Sequence, residues 1–198
     1  MLQKGDKKLI NAWAFYDWAN SVYSLVISTA VFPIYYAGLT ASENFANAEG
    51  KISFLGMLFK PTSLYNYALA FSFLVVAILS PMLSGIADYV GNKKNFMKFF
   101  CYVGGLGSIG LYWFDLDSIH ISILFYFMGL LGYWGSLVFY NSYLPDIAFD
   151  DQQDSISAKG FSLGYLGSVL LLVLNLSMVM LPSAFFIEAT ENDTAAQV

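Results

Sequence analysis

Five long apolar runs constrain the fold of this chain more than any other feature. They cover residues 18–38, 64–87, 97–114, 119–144 and 161–181, and a helix needs about 20 mostly apolar residues to cross the hydrocarbon core of a bilayer. Backbone polar groups find no water in lipid, so only helices and closed barrels can span it. The runs are too long and too continuously apolar for barrel strands. The sequence therefore predicts an all-α integral membrane protein, a single bundle over residues 1–198 with about five transmembrane helices.

The composition agrees with a lipid environment and excludes nucleic acid as a partner. Hydrophobic residues make up 58% of the chain and charged residues only 12%, whereas a soluble domain carries about 25% charged residues. The net charge is -5, and all nine basic residues are lysines. Nucleic-acid binding needs a clustered basic surface that this chain lacks. The expected partner is the lipid bilayer.

Little in the sequence indicates an enzyme, a cofactor or a metal site. The chain has one histidine and one cysteine, and the HExxH motif does not occur. Asp115, Asp117 and His120 stand close together in a short turn, but three such groups are more often a solvated loop and helix cap than a metal site. We therefore expect no catalytic residues, no cofactor and no metal.

The distribution of lysines predicts the orientation in the membrane. Seven lysines would lie on one side and two, Lys51 and Lys60, on the other. The larger group is Lys4, Lys7, Lys8, Lys93, Lys94, Lys98 and Lys159. Because lysine-rich connections stay in the cytoplasm, we expect a cytoplasmic N-terminus. The apolar stretch 52–59 in the first outer loop is too short to cross and should lie at the interface.

Five helices would leave the chain ending outside without a return segment. Some secondary transporters are built from six-helix halves, each with two inverted three-helix repeats. The pattern indicates most of an N-terminal half whose sixth helix is absent, with the C-terminal half of the transporter as the missing partner. The alternative is a complete five-helix protein, either a channel or a scaffold that transports nothing.

A polar stripe is predicted on the first helix. Its members recur at spacings of three and four, which places them on one face of an α-helix; they are Asp17, Asn20, Ser21, Ser24 and Ser28. Polar side chains inside a membrane often line a path for substrate or protons, and a carboxylate such as Asp17 can exchange protons. The alternative reading of Asp17 is a cap or flanking residue at the helix start.

The fourth helix carries a second stripe, rich in tyrosine. It consists of Tyr126, Gly129, Tyr133, Ser136, Tyr140 and Tyr143. Tyr133 and Tyr140 are candidates for contact with a small organic substrate, and Asn141 lies off that face near the cytoplasmic end. Packing against other helices explains the small residues equally well. In the fifth helix, the spacing of Gly160 and Gly164 favours close helix packing.

The connection between the second and third helices resembles the signature loop of the major facilitator superfamily, G-x-L-A-D-R-x-G-R-K. Here the segment reads SGIADYVGNK, residues 84–93. Asp88, Gly91 and Lys93 match the pattern, whereas Tyr89 and Asn92 replace two arginines. The resemblance implies that Asp88, Gly91, Lys93 and Lys94 belong to a cytoplasmic gate, with the two lysines in place of the arginines.

Further segments resemble the vacuole effluxer-like branch of that superfamily. They are YDWANSVYSLVISTAVFPIYY, SPMLSGIAD, FYNSYLPDIA and SLGYLGSVLLLVLNL. The branch includes a vacuolar amino-acid exporter of yeast and many bacterial proteins. The resemblance implies secondary transport of a small solute by alternating access between two halves, in a bacterial inner (plasma) membrane. It also marks Asp17, Asn20, Ser21, Tyr140, Asn141 and Pro145 as family signature positions.

Overall fold

Five long helices and one small hairpin make up the computed structural model, which describes residues 3–41 and 50–186. The side chains of Ala87, Asp88 and Val90 lie outside the description. The helices are α1 (Lys7–Ala41), α2 (Pro61–Val90), α3 (Lys93–Gly110), α4 (Ile119–Ser142) and α5 (Gln153–Met180), and the strands are β1 (Ile52–Phe54) and β2 (Met57–Phe59). Short helical turns at Leu144–Ile147 and Asp150–Gln152 join α4 to α5. The prediction of an all-α membrane fold is confirmed.

Within the described residues, four helical segments are long and apolar enough to cross a membrane. They are Lys7–Ala41, Pro61–Ile86, Ile119–Ile147 and Asp150–Met180. Helix α3 is not among them, because its 18 residues include Lys93, Lys94 and Lys98 near its start. Charged side chains near a helix end can still extend to the membrane surface.

The helices extend beyond the apolar runs that predicted them. Helix α1 begins at Lys7, where Asp6 is the N-cap and its carboxylate accepts a hydrogen bond from the Lys8 N–H at 2.8 Å. Helix α5 begins at Gln153, ahead of the apolar run that starts at 161. The length of an apolar run reflects the thickness of the hydrocarbon core, whereas capping groups determine the residue at which a helix starts.

A π-helical segment interrupts α1 over Tyr23–Val31. In keeping with its wider turns, the Thr29 hydroxyl donates to the Ser24 carbonyl at 2.8 Å, five residues back. Residues in such a segment do not keep the period of 3.6 residues that an α-helix has. The α-helical spacing that predicted one shared face therefore applies to Asp17 and Ser21 but not to Ser24 and Ser28.

The stretch predicted to lie at the interface forms a β-hairpin. Ile52 pairs with Phe59, Ser53 with Leu58 and Phe54 with Met57. Leu55 and Gly56, which make the turn, have φ of 51° and 79°, as a two-residue type I′ turn requires. The hairpin was not predicted from the sequence because leucine, at the first turn position, rarely adopts positive φ. Gly56, at the second turn position, is the residue that could have indicated a turn.

The chain divides into two compact units. The first contains residues 1–45 and 144–198, and therefore α1 and α5; the second contains residues 46–143, and therefore the hairpin and α2, α3 and α4. The expectation that all five helices form one bundle stays a prediction.

In the second unit, α3 and α4 approach closely at glycines spaced three residues apart. These are Gly104, Gly107 and Gly110 on α3 and Gly129, Gly132 and Gly135 on α4. A Cβ atom on Gly104 would lie 3.3 Å from the Gly132 Cα, and one on Gly107 would lie 2.8 Å from the Phe125 carbonyl oxygen. Stacked Phe100 and Phe139 rings, 5.9 Å apart, extend the contact. Small residues permit such close backbone contact between membrane helices.

Replacing one of these glycines should destabilise the protein, whereas the same change on the open face of α3 should not. We expect Gly107→Ala to cost about 1–3 kcal/mol, the usual range for overpacking. A Cβ on Gly105 meets nothing within 4 Å, so Gly105→Ala should be neutral or stabilising by up to about 1 kcal/mol through helix propensity. Thermal unfolding in detergent measures both variants. Equal unfolding temperatures would contradict the packing described.

Candidate functional site

Asp17 is a buried carboxylate in the interior of a predicted membrane helix. Its side chain is 3% exposed, and the Ser21 hydroxyl donates to its Oδ1 atom at 3.1 Å. The two residues are four apart in the α-helical part of α1, so their side chains lie one above the other. The sequence prediction that Asp17 and Ser21 share a face is confirmed.

Asp17 does not cap the start of its helix. Asp6 occupies that position, and Asp17 follows Lys7 by ten residues, or about 15 Å of helix at 1.5 Å per residue. Taking a carboxylate out of water costs free energy unless it finds hydrogen bonds or a counter-charge. The burial of the Asp17 carboxylate within the helix therefore favours a functional role for Asp17 over a capping role.

Helix α5 packs against the Asp17 and Ser21 pair through glycine. A Cβ on Gly164 would lie 2.6 Å from the Ser21 Oγ and 2.8 Å from the Asp17 Oδ2. One on Gly167 would lie 3.0 Å from the Trp18 ring. Gly160 and Gly164 are both buried, which confirms the packing role predicted from their spacing. Glycine is thus the residue that leaves room for the carboxylate.

The other predicted members of the α1 stripe are only partly buried. Asn20, Ser24 and Ser28 have intermediate exposure. Ser24 and Ser28 also fall in the π-helical segment. Their assignment, with that of Asn20, to a substrate or proton pathway stays a prediction.

The tyrosine stripe of α4 is partly a packing face. Tyr126 and Tyr140 are 0% and 4% exposed, and the Tyr126 ring lies 5.6 Å from that of Tyr65. A Cβ on Gly107 of α3 would come within 2.9 Å of the Gly129 Cα, so this part of the stripe contacts a neighbouring helix.

Two predicted pathway residues on α4 are more accessible. Tyr133 is partly buried, and its carbonyl accepts a hydrogen bond from the Ser136 hydroxyl at 2.8 Å. Asn141 is exposed in the last turn of α4. Tyr133, Tyr140 and Asn141 belong to the second unit, whereas Asp17, Asn20, Ser21 and Ser24 belong to the first. Their joint role in one pathway stays a prediction.

The signature loop is a two-residue connection, Gly91 and Asn92, between α2 and α3. Gly91 has φ of 67°, a left-handed conformation that glycine adopts without strain. A Cβ there would meet nothing within 4 Å. The positive φ, and not a lack of room for a side chain, therefore explains why glycine occupies this position. Asp88 lies in the last turn of α2, and its side chain is outside the described part of the structure.

Lys93 connects this loop to the end of α4. Its ammonium donates to the Ser142 carbonyl oxygen at 3.3 Å, and Ser142 is the last residue of α4. The final carbonyls of a helix lack partners within the helix and carry partial negative charge. Lys94, the second predicted gate lysine, is exposed. Sequence reasoning had no signal for the Lys93 and Ser142 contact, which joins residues 49 apart.

The acidic turn before α4 is held by local hydrogen bonds. The Ser122 hydroxyl accepts from the Asp115 N–H at 3.0 Å and donates to the Asp115 carbonyl at 2.9 Å. The Asp117 N–H donates to the Asp115 carboxylate at 3.3 Å. In the described ranges, no three His, Cys, Asp or Glu side chains are grouped to hold a metal ion.

The fold and these sites define a multi-pass helical membrane protein with a buried carboxylate in its first helix and a short lysine-bearing connection between its second and third. The chain belongs to the family described as Vacuole effluxer Atg22 like, whose sequence model matches residues 5–195. The resemblance inferred from the sequence is thus confirmed.

A relative from Bacillus subtilis (strain 168) supports the same assignment. It is described as the uncharacterized MFS-type transporter YxiO and is 35% identical over 183 residues, which cover 92% of this chain. The chain spans about 40% of the length of that relative. No solved structure matches the chain.

The contact of Lys93 with α4 should protect the backbone at that helix end. We expect Lys93→Met to speed amide hydrogen exchange in the last turn of α4, because the contact stabilises it by roughly 0.3–1 kcal/mol. Lys94→Met removes the same charge from an exposed neighbour and should leave exchange there unchanged. Hydrogen exchange measured by mass spectrometry distinguishes the two. Equal protection in both variants would mean that the contact does not stabilise the helix end.

Proposed function

We propose that this chain supplies most of the N-terminal half of a secondary active transporter. The transporter would move a small solute across a membrane by alternating access, and amino acids are the first substrate class to test. Support comes from the family, whose description names a vacuole effluxer, and from a relative described as an MFS-type transporter. The transport activity would belong to a longer protein, because the chain spans about 40% of that relative.

The buried Asp17 carboxylate is the observation that carries the proposal. Ionisable groups within membrane helices are costly and usually mark pathways for ions, protons or substrates. Asp17 has one described hydrogen-bond donor, the Ser21 hydroxyl, and a neutral hydroxyl does not balance its charge. A proton or a cationic group of the substrate would supply that balance.

Gating is proposed for the connection between α2 and α3. In transporters of this superfamily, alternating access comes from rocking one helical repeat or bundle against another. Lys93 already holds the start of α3 to the end of α4, so α3 and α4 would move together at this point. Asp88 and Lys94 complete the proposed gate.

The membrane and orientation are part of the same proposal. The lysine distribution supports a cytoplasmic N-terminus, and the bacterial relative supports a bacterial inner (plasma) membrane.

We expect Asp17→Asn to remove the response of transport to a proton gradient. Asparagine keeps the size of the side chain and still accepts a hydrogen bond from Ser21, but it carries no titratable proton. The measurement is uptake of radiolabelled amino acids by the full-length gene product in liposomes, with and without an imposed proton gradient.

Asp151→Asn is the matched control for that experiment. Asp151 is exposed in the helical turn before α5, so its removal should leave the gradient response intact. An Asp17→Asn variant that responds like the wild type would exclude proton coupling through Asp17. Solute movement that never saturates would instead indicate a channel.

The orientation predicts which single cysteines react with an impermeant thiol reagent. In a Cys101→Ser background, Asn92→Cys should be labelled only after the cells are opened. Gly56→Cys, in the exposed turn of the hairpin, should be labelled in intact cells. Labelling of both positions from the same side would contradict the proposed topology.

A further inference from the structure

An apolar groove lies within the second unit, under the hairpin. Its cavity has a volume of about 570 Å³, within the range of about 300–1,000 Å³ that ligand sites occupy. The lining comes from the hairpin (Phe54, Leu55, Met57, Phe59), from α2 (Leu64, Tyr67, Ala68, Phe71) and from α4 (His120, Ile123, Leu124, Phe127). Apart from the His120 ring and the Tyr67 hydroxyl, these side chains are apolar.

Aromatic contacts fix the shape of the groove. The Phe54 ring lies 5.1 Å from the His120 ring of α4, and the Phe59 ring lies 6.0 Å from the Tyr67 ring of α2. The hairpin is therefore attached to both helices. Deeper in the groove, Phe71 and Phe127 meet across the two helices at 5.5 Å. The result is a concave site and not the flat side of a helix.

The apolar face of the hairpin explains why it covers the groove. Residues paired across two strands point to the same side of the hairpin, and successive residues alternate. Ile52, Phe54, Met57 and Phe59 thus share one face, and three of them line the groove. Ser53 and Leu58 occupy the opposite face.

The groove ends at about the depth of one leaflet, measured from the start of α2. On α2 its lining extends from Leu64 to Phe71, three to ten residues after Pro61, and thus to about 15 Å from the helix start at 1.5 Å per residue. Half of a hydrocarbon core of about 30 Å is the same length. Tyr67 and Leu124 remain 62% and 52% exposed, so the groove opens sideways. An apolar opening of this kind can admit a lipid chain.

A lysine follows the last groove residue of the hairpin. Lys60 follows Phe59 directly, precedes the first residue of α2 and is exposed. An ammonium group beside a helix N-terminus favours a phosphate, which gains both charge-assisted hydrogen bonds and the positive end of the helix dipole.

We propose that this groove binds a membrane phospholipid, with one acyl chain between α2 and α4 and the phosphate at Lys60. The apolar lining, which ends at about the depth of one leaflet from the start of α2, suits an acyl chain, whereas a polar solute would find almost no hydrogen-bonding groups. The groove belongs to the second unit and Asp17 to the first, and lipid binding here does not depend on the proposed transport.

Photolabelling of the full-length protein tests the proposal. The protein is placed in vesicles of phosphatidylethanolamine and phosphatidylglycerol that contain a trace of phosphatidylglycerol with a diazirine on its acyl chain. After illumination, mass spectrometry locates the labelled residues. We expect labelling to concentrate on the groove residues of α2 and α4 and to saturate as unlabelled phosphatidylglycerol is added.

Two pairs of variants separate specific binding from general lipid contact. Ala68 is 9% exposed and lines the groove, so Ala68→Phe should fill the space and reduce labelling several-fold. Leu74→Phe, at a position on α2 that is 56% exposed and outside the groove lining, should not. Lys60→Gln should weaken labelling several-fold, whereas Lys98→Gln, at an exposed position on α3, should leave it unchanged.

Several outcomes would overturn the proposal. Labelling of Leu74 and Ile78 as strong as that of the groove would show ordinary lipid contact. Labelling that neither saturates nor responds to Lys60→Gln would exclude a phosphate site, even if Ala68→Phe failed to fold. A groove that takes no label would mean that something other than lipid covers it.

Discussion

Close contact between helices at glycine residues is the constraint on which the rest of this structure depends. In lipid there is no hydrophobic force to drive helices together, so van der Waals contact between closely packed backbones must hold them. Gly164 and Gly167 bring α5 against Asp17, Trp18 and Ser21 in the first unit. Gly104 and Gly107 bring α3 against Gly132 and Gly129 in the second. Close helix packing at glycine residues therefore occurs in both units.

The same close packing gives the buried carboxylate its surroundings. Asp17 is removed from water by α5, and Gly164 is the reason that the two helices can approach so closely. A larger residue at that position would displace either the carboxylate or the Ser21 hydroxyl that donates to it. Packing and function are therefore linked at one contact, in which a helix-packing residue determines the environment of a titratable group.

The sequence predicted those features that depend on local spacing. Apolar runs predicted the helices, the four-residue separation predicted the shared face of Asp17 and Ser21, and the spacing of Gly160 and Gly164 predicted close packing of α5. The spacing of three between Gly104, Gly107 and Gly110 is a further local pattern that agrees with the close packing of α3.

Features that depend on backbone detail or on distant partners were not predictable from local spacing. The π-helical segment at Tyr23–Val31 changes the helix period without an obvious composition signal. The hairpin turn uses Leu55 at positive φ, against the usual preference for glycine or asparagine. The contact of Lys93 with the Ser142 carbonyl depends on how α3 packs against α4, which no local pattern encodes.

The most direct test of the account measures the distance between α1 and α5 at the carboxylate. A Cβ on Gly164 would lie 3.0 Å from the Ser21 Cβ, near the separation of about 3.5–4.5 Å found in disulfides. In a Cys101→Ser background, the pair Ser21→Cys and Gly164→Cys should therefore form a disulfide under mild oxidation. The pair Ala19→Cys and Gly164→Cys should not, because Ala19 is exposed on another face of α1. Equal cross-linking of both pairs would contradict the packing that buries Asp17, and so would failure of the first pair in a variant that unfolds at the same temperature as the Cys101→Ser protein.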